Sequence, residues 1–70
     1  MTREKRVRLD EGAEIVYDEE RGEIVQLRVS SDASAEEILV RLREGAYDDR
    51  LPEKVREKLE EMLEEELGNY

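Results

Sequence analysis

Hydrolase or transferase chemistry needs a nucleophile held beside a positioned base. The hydroxyl candidates in this sequence are Thr2, Ser30, Ser31, Ser34 and three tyrosines, and because it contains neither histidine nor cysteine, the available bases reduce to Lys, Asp and Glu. None of these is spaced as a nucleophile beside its base. Paired carboxylates could carry acid–base chemistry, but with 21 acidic residues in a chain of 70 no pair stands out from the rest, and so short a chain has little material to wall a cleft. The absence of His and Cys also removes the usual zinc patterns. The segment Asp18-Glu19-Glu20-Arg21-Gly22-Glu23 is oxygen-rich but too short for a calcium loop, and Arg21 stands where a ligand would help. Gly12, Gly22, Gly45 and Gly68 are isolated, so no phosphate-cradling loop is formed. The expectation is a protein that is not an enzyme, with no catalytic, cofactor-binding or metal-ligating residue and no cofactor.

What remains is charge. Arg3, Lys5, Arg6 and Arg8 against Glu4 give residues 1–9 a charge of +3, which leaves −12 on the rest of a chain whose net charge is −9. Phosphate affinity depends on neutralising phosphates, so direct nucleic-acid binding is not expected from so acidic a body. The inverse is physically sensible: an acidic protein that imitates a phosphate backbone, as a nucleic-acid-mimicking inhibitor or an antitoxin-like regulator does. No apolar run approaches the roughly 18 residues of a membrane span, and the charged Met1-Thr2-Arg3-Glu4-Lys5-Arg6 start leads into no apolar signal segment. A cytoplasmic protein that does not engage membranes is expected.

The apolar residues are few but periodic, which separates a folded chain from a disordered one of similar charge. Residues 5–9 alternate polar and apolar as a half-buried strand does, and Asp10-Glu11-Gly12 breaks them. Residues 14–17 are β-branched and aromatic after Glu14, and Glu-Ile-Val-Gln-Leu-Arg-Val over 23–29 is the clearest strand in the sequence. The intervening Asp18-Glu19-Glu20-Arg21-Gly22 fits a type I turn closed by a glycine bulge, which makes a hairpin of the two runs. Ser34-Ala35-Glu36-Glu37 matches a capping box, so Ser34 is read as a helix cap, followed by an apolar stripe of Ala35, Ile38, Leu39, Leu42 and Ala46 and a stop at Gly45. A second helix opens near Pro52, carries Leu51, Val55, Leu59, Met62, Leu63 and Leu67 on one face, and stops at Gly68. The fold expected is α+β: a three-stranded antiparallel β-meander, or a hairpin, followed by two helices packed on one face, as one small acidic domain over residues 1–70.

Two features break local rules. If Asp18 pairs with Glu23, strict alternation places Val16, Val25, Leu27 and Val29 on one side of the hairpin and Ile15, Tyr17 and Ile24 on the other. Two helices cover one side, so Ile15, Tyr17 and Ile24 become candidates for contact with a partner or a second copy in a homodimer. The other feature is the last helix, where Glu64, Glu65 and Glu66 occupy the turn at which the helix dipole favours cations. Glu53/Glu57, Lys54/Lys58, Glu57/Glu61, Glu60/Glu64 and Glu61/Glu65 repeat like charges at the i,i+4 spacing. Glu60, Glu64 and Glu65 are therefore candidate contacts for a protein partner, unless the basic residues 3–8 dock on residues 60–66. A protein–protein interaction module or assembly subunit fits these features.

The hairpin Tyr17-Asp18-Glu19-Glu20-Arg21-Gly22-Glu23-Ile24-Val25, the helix start Leu51-Pro52-Glu53-Lys54-Val55-Arg56-Glu57-Lys58-Leu59 and the absence of Cys, His, Trp and Phe resemble a computationally designed or redesigned small α+β domain. That resemblance implies a regular scaffold with no native function. It matches no natural family.

Overall fold

The computed structural model describes residues 3–68, so Thr2 and Tyr70, two of the hydroxyl candidates, lie outside the described residues. Three strands come first, β1 (Glu4–Asp10), β2 (Ala13–Asp18) and β3 (Glu23–Val29), then two helices, α1 (Asp32–Arg43) and α2 (Glu53–Leu67). The strands form an antiparallel meander in the order β1-β2-β3. The α+β architecture read from periodicity is the one observed.

The β2–β3 hairpin closes through the side chain of Asp18, whose Oδ1 accepts from the backbone N–H of Glu20 at 3.0 Å and of Arg21 at 3.3 Å. Gly22 then turns the chain at φ +67°, a left-handed conformation that suits glycine. Asp18 faces Glu23, as expected, but the register slips between Val16 and Tyr17, so that Ile24 pairs with Tyr17 and Gln26 with Val16. Val25 is the extra residue. A β-bulge reverses the alternation beyond it, and this places Leu27 and Val29 on the same side as Ile15, Tyr17 and Ile24.

The division of apolar residues expected from strict alternation is thereby corrected. Ile15 is fully buried and Tyr17 nearly so, while Ile24, Leu27 and Val29 are half-buried against the core. The helices cover this face, α2 against β3 and α1 against β1 and β3. Ile15, Ile38, Val55, Leu59 and Leu63 are the largest fully buried side chains. Each contributes about 2 kcal/mol relative to an exposed position. Met62, expected on the inner face of α2, points outward instead, and Ala46 is exposed.

The ends of α1 are set by local chemistry. Its N-cap is Ser31, whose Oγ accepts from the Ser34 N–H at 3.2 Å. The helix begins a turn earlier than the capping box at Ser34 implied, because two serines three residues apart both satisfy cap chemistry. At the other end Gly45, at φ +86°, donates to the Leu42 carbonyl, and Ala46 donates to that of Arg41. These two bonds are the Schellman arrangement. The connector to α2 is pinned by Tyr47, a buried residue whose hydroxyl donates to the Leu9 carbonyl at 2.9 Å. Leu9 sits where the β1–β2 register slips between Arg8 and Asp10. Among the described residues no helix is long and apolar enough to cross a membrane.

Candidate interaction site

With the apolar side of the sheet covered, the other side carries Glu4, Arg6 and Arg8 from β1, Glu14 and Val16 from β2, and Glu23, Gln26 and Arg28 from β3, by alternation and register. Glu14 lies in register with Arg8 on one flank and Arg28 on the other. Its carboxylate is 3.3 Å from the Arg6 guanidinium. Arg8 and Arg28 are exposed and have no carboxylate within 4 Å among the described residues. Val16, between Arg6 and Gln26, is only 9% exposed although it stands outside the main core cluster, while Val25 at the bulge is 54% exposed. The open face thus mixes Arg6, Arg8 and Arg28 with Glu4, Glu14 and Glu23 around the nearly buried Val16.

The helical side is strongly acidic. Between Asp32 and Leu67 the chain carries 13 acidic and 6 basic side chains. Arg43, in the last turn of α1, reaches across to Glu60 at 3.0 Å and Glu64 at 2.9 Å. The hydrogen bonds that Arg43 donates to these two carboxylates raise its pKa further above its already high ordinary value, so the cation stays charged at any physiological pH. Arg56 meets Asp48 at 2.8 Å. Glu53, Glu57, Glu61 and Glu65 are exposed at successive i,i+4 positions, and none has a cation within 4 Å among the described residues.

The structure therefore separates the residues singled out as contacts. Ile15 and Tyr17 are internal and Ile24 packs on the core, so none of the three forms an outward patch; the bulge at Val25 is the reason. Glu60 and Glu64 come together on Arg43, and Glu65 stands outside that cluster. Residues 3–8 do not dock on residues 60–66: Lys5 pairs with Glu19 at 3.3 Å and Arg6 with Glu14. A basic segment that alternates with apolar residues is a strand first, and its charges take partners on neighbouring strands and turns.

Ser30, Ser31 and Ser34 do gather, with the Ser34 hydroxyl 3.3 Å from each of the other two. No lysine or carboxylate side chain hydrogen-bonds to them among the described residues, so they form a helix start and lack the base a nucleophile needs. A groove of about 460 Å³ runs between the C-terminal end of α1 and the first turns of α2, bordered by Glu44, Asp48, Glu53 and Glu57 as well as Arg43 and Arg56. Among the described residues no three carboxylates converge to hold a metal ion. Arg6 and Arg8 were singled out in the sequence as part of a basic segment, whereas Arg28 was missed because its side of β3 is set by the bulge. No family model, curated protein or solved structure matches this chain.

Proposed function

We propose that the domain is a non-catalytic protein–protein interaction module that takes a basic protein surface on the outer face of α2. The observation that carries this reading is the row Glu53, Glu57, Glu61 and Glu65, exposed and without a cation among the described residues. Like charges at i,i+4 each cost a helix a few tenths of a kcal/mol, and Glu65 also lies in a last turn with no basic residue. Lys54 and Lys58, three residues before Glu57 and Glu61, offset only part of that cost. A partner bearing Lys or Arg turns each of these repulsions into an attraction, and complementary charge raises association rates as well. A protein whose own surface is built to hold phosphates is one such partner.

The test is titration with a lysine-rich peptide followed by backbone NMR. Binding of the wild type should shift residues 53–65 and weaken as salt rises. E57Q/E61Q/E65Q should bind at least about tenfold more weakly, as expected when charge-assisted contacts worth over 1.4 kcal/mol in total are lost. Unchanged binding by that variant would overturn the reading.

A further inference from the structure

The segment between the helices, residues 44–52, belongs to no regular element, and it is fastened where β1 is irregular. The β1–β2 register passes from Arg8/Glu14 to Asp10/Ala13, so Leu9 is the extra residue of a bulge. A bulge takes backbone groups out of the ladder. Here two successive carbonyls find donors on the connector: Tyr47 Oη donates to that of Leu9 at 2.9 Å and Arg50 Nη2 to that of Arg8 at 3.1 Å. We propose that this connector is a strap, which opens by itself below the global unfolding of the domain and which, when closed on β1, holds Glu53 and Glu57 in the row that α2 presents. The opening is independent of the reading of α2 given above; its consequence for Glu53 and Glu57 rests on that reading.

Little holds the strap from outside. Within residues 44–52 only Tyr47 and Leu51 are buried. Its other bonds are local: Arg50 and Leu51 donate their N–H groups to the Tyr47 carbonyl, and Arg56 of α2 reaches back to the Leu51 carbonyl and to Asp48. Such bonds open together with the loop they span, which leaves two side-chain hydrogen bonds and two apolar side chains to attach it to the fold. Segments with so few buried contacts open at lower free energy than a core does. Both ends can absorb the backbone change. Gly45 ends α1 at φ +86°, and α2 begins at Pro52 with no side-chain cap bond.

The consequence for α2 follows from that missing cap. Without a side-chain partner at its N-terminus, the first turn depends on what precedes it: Leu51 in the core, and Arg56 bonded to the Leu51 carbonyl. When the strap lifts, Leu51 leaves the core, Arg56 loses its anchor and the first turn frays. Glu53 and Glu57 then lose their fixed spacing to Glu61 and Glu65, which the fully buried Leu59 and Leu63 keep in place. The row is thus half fixed and half gated. A partner that spans all four carboxylates binds the closed strap better than the open one, so its binding must close the strap.

Amide hydrogen exchange followed by NMR, over a range of low denaturant, tests this on the wild type and on Y47F, which keeps the ring and removes only the donor to Leu9. The reporters are the amides of Arg50, Leu51 and Arg56, bonded to the Tyr47 and Pro52 carbonyls, against those of β2. In the wild type the strap amides should exchange with little dependence on denaturant, while β2 amides follow the steep dependence of global unfolding. In Y47F the strap amides should exchange at least about tenfold faster, because the closed state leaves the Leu9 carbonyl without a donor. One shared denaturant dependence for strap and β2 in the wild type, or strap exchange unchanged in Y47F, overturns the proposal. The lysine-rich peptide, at about ten times its Kd, should slow the strap amides about tenfold. A peptide that binds without slowing them overturns the link to the row. If the peptide does not bind, the reading of α2 falls and that link with it, and the strap stands or falls on the denaturant dependence alone.

Discussion

The two helices pack on one sheet and share one core, yet they treat local chemistry in opposite ways. α1 opens on Ser31 with a side-chain cap bond, has Asp32 in its first turn, and ends with Arg41 and Arg43 in the turn where cations are favoured. α2 opens on Pro52 with no side-chain cap bond and ends with glutamates and no basic residue. Arg41 is paired with Glu37 and with Asp10, so α1 is also tied to its neighbours. α2 receives Arg43 from α1 and otherwise leaves its outer row unneutralised. The difference teaches that α2 is held by its apolar seam, while its outer glutamate row is left without a cation among the described residues.

The largest expected effect comes from cutting that seam. Leu59→Ala empties a fully buried position and should cost about 3 kcal/mol in denaturant unfolding. A 70-residue domain has a total stability of roughly 3.5–10 kcal/mol, so this one change takes a large share of it. A loss below about 1 kcal/mol would show that α2 is not anchored where the core cluster places it.

A smaller effect distinguishes the ordered start of α1. Ser31→Ala removes the oxygen that accepts the Ser34 N–H and should cost about 1 kcal/mol. Ser34→Ala keeps that backbone donor and should cost clearly less. Equal melting temperatures for the two variants would mean that the cap is not at Ser31.

The same pair of serines shows what sequence periodicity can and cannot resolve. The strands, the hairpin turn at Asp18–Gly22 and the glycine stops at Gly45 and Gly68 were legible because each rests on a local rule that no distant contact overrides. The helix start was misplaced by a turn because Ser31 and Ser34 both satisfy cap chemistry, and only the packing of α1 on the sheet chooses between them. The side of the sheet occupied by Leu27 and Val29 was misread for a different reason. One bulged residue, Val25, inverts everything after it, and nothing in Glu-Ile-Val-Gln-Leu-Arg-Val marks which residue is extra. Arg28 joins Arg6 and Arg8 on one face only through that inversion, which also brings Leu27 and Val29 onto the side of Ile15 and Tyr17. The glutamate row, by contrast, was readable at once, because i,i+4 spacing on a helix needs no tertiary information.

The central claim is that this row works against the fold and serves contact instead. Denaturant unfolding of E57Q/E61Q/E65Q beside the wild type, at 10 mM and at 1 M salt, tests it most directly. Removing the like-charge pairs should stabilise the variant at low salt by a few tenths of a kcal/mol per pair, and the gain should fade at 1 M as screening removes the repulsion from the wild type. A variant that unfolds at lower denaturant than the wild type would contradict the account, since the glutamates would then be holding the domain together.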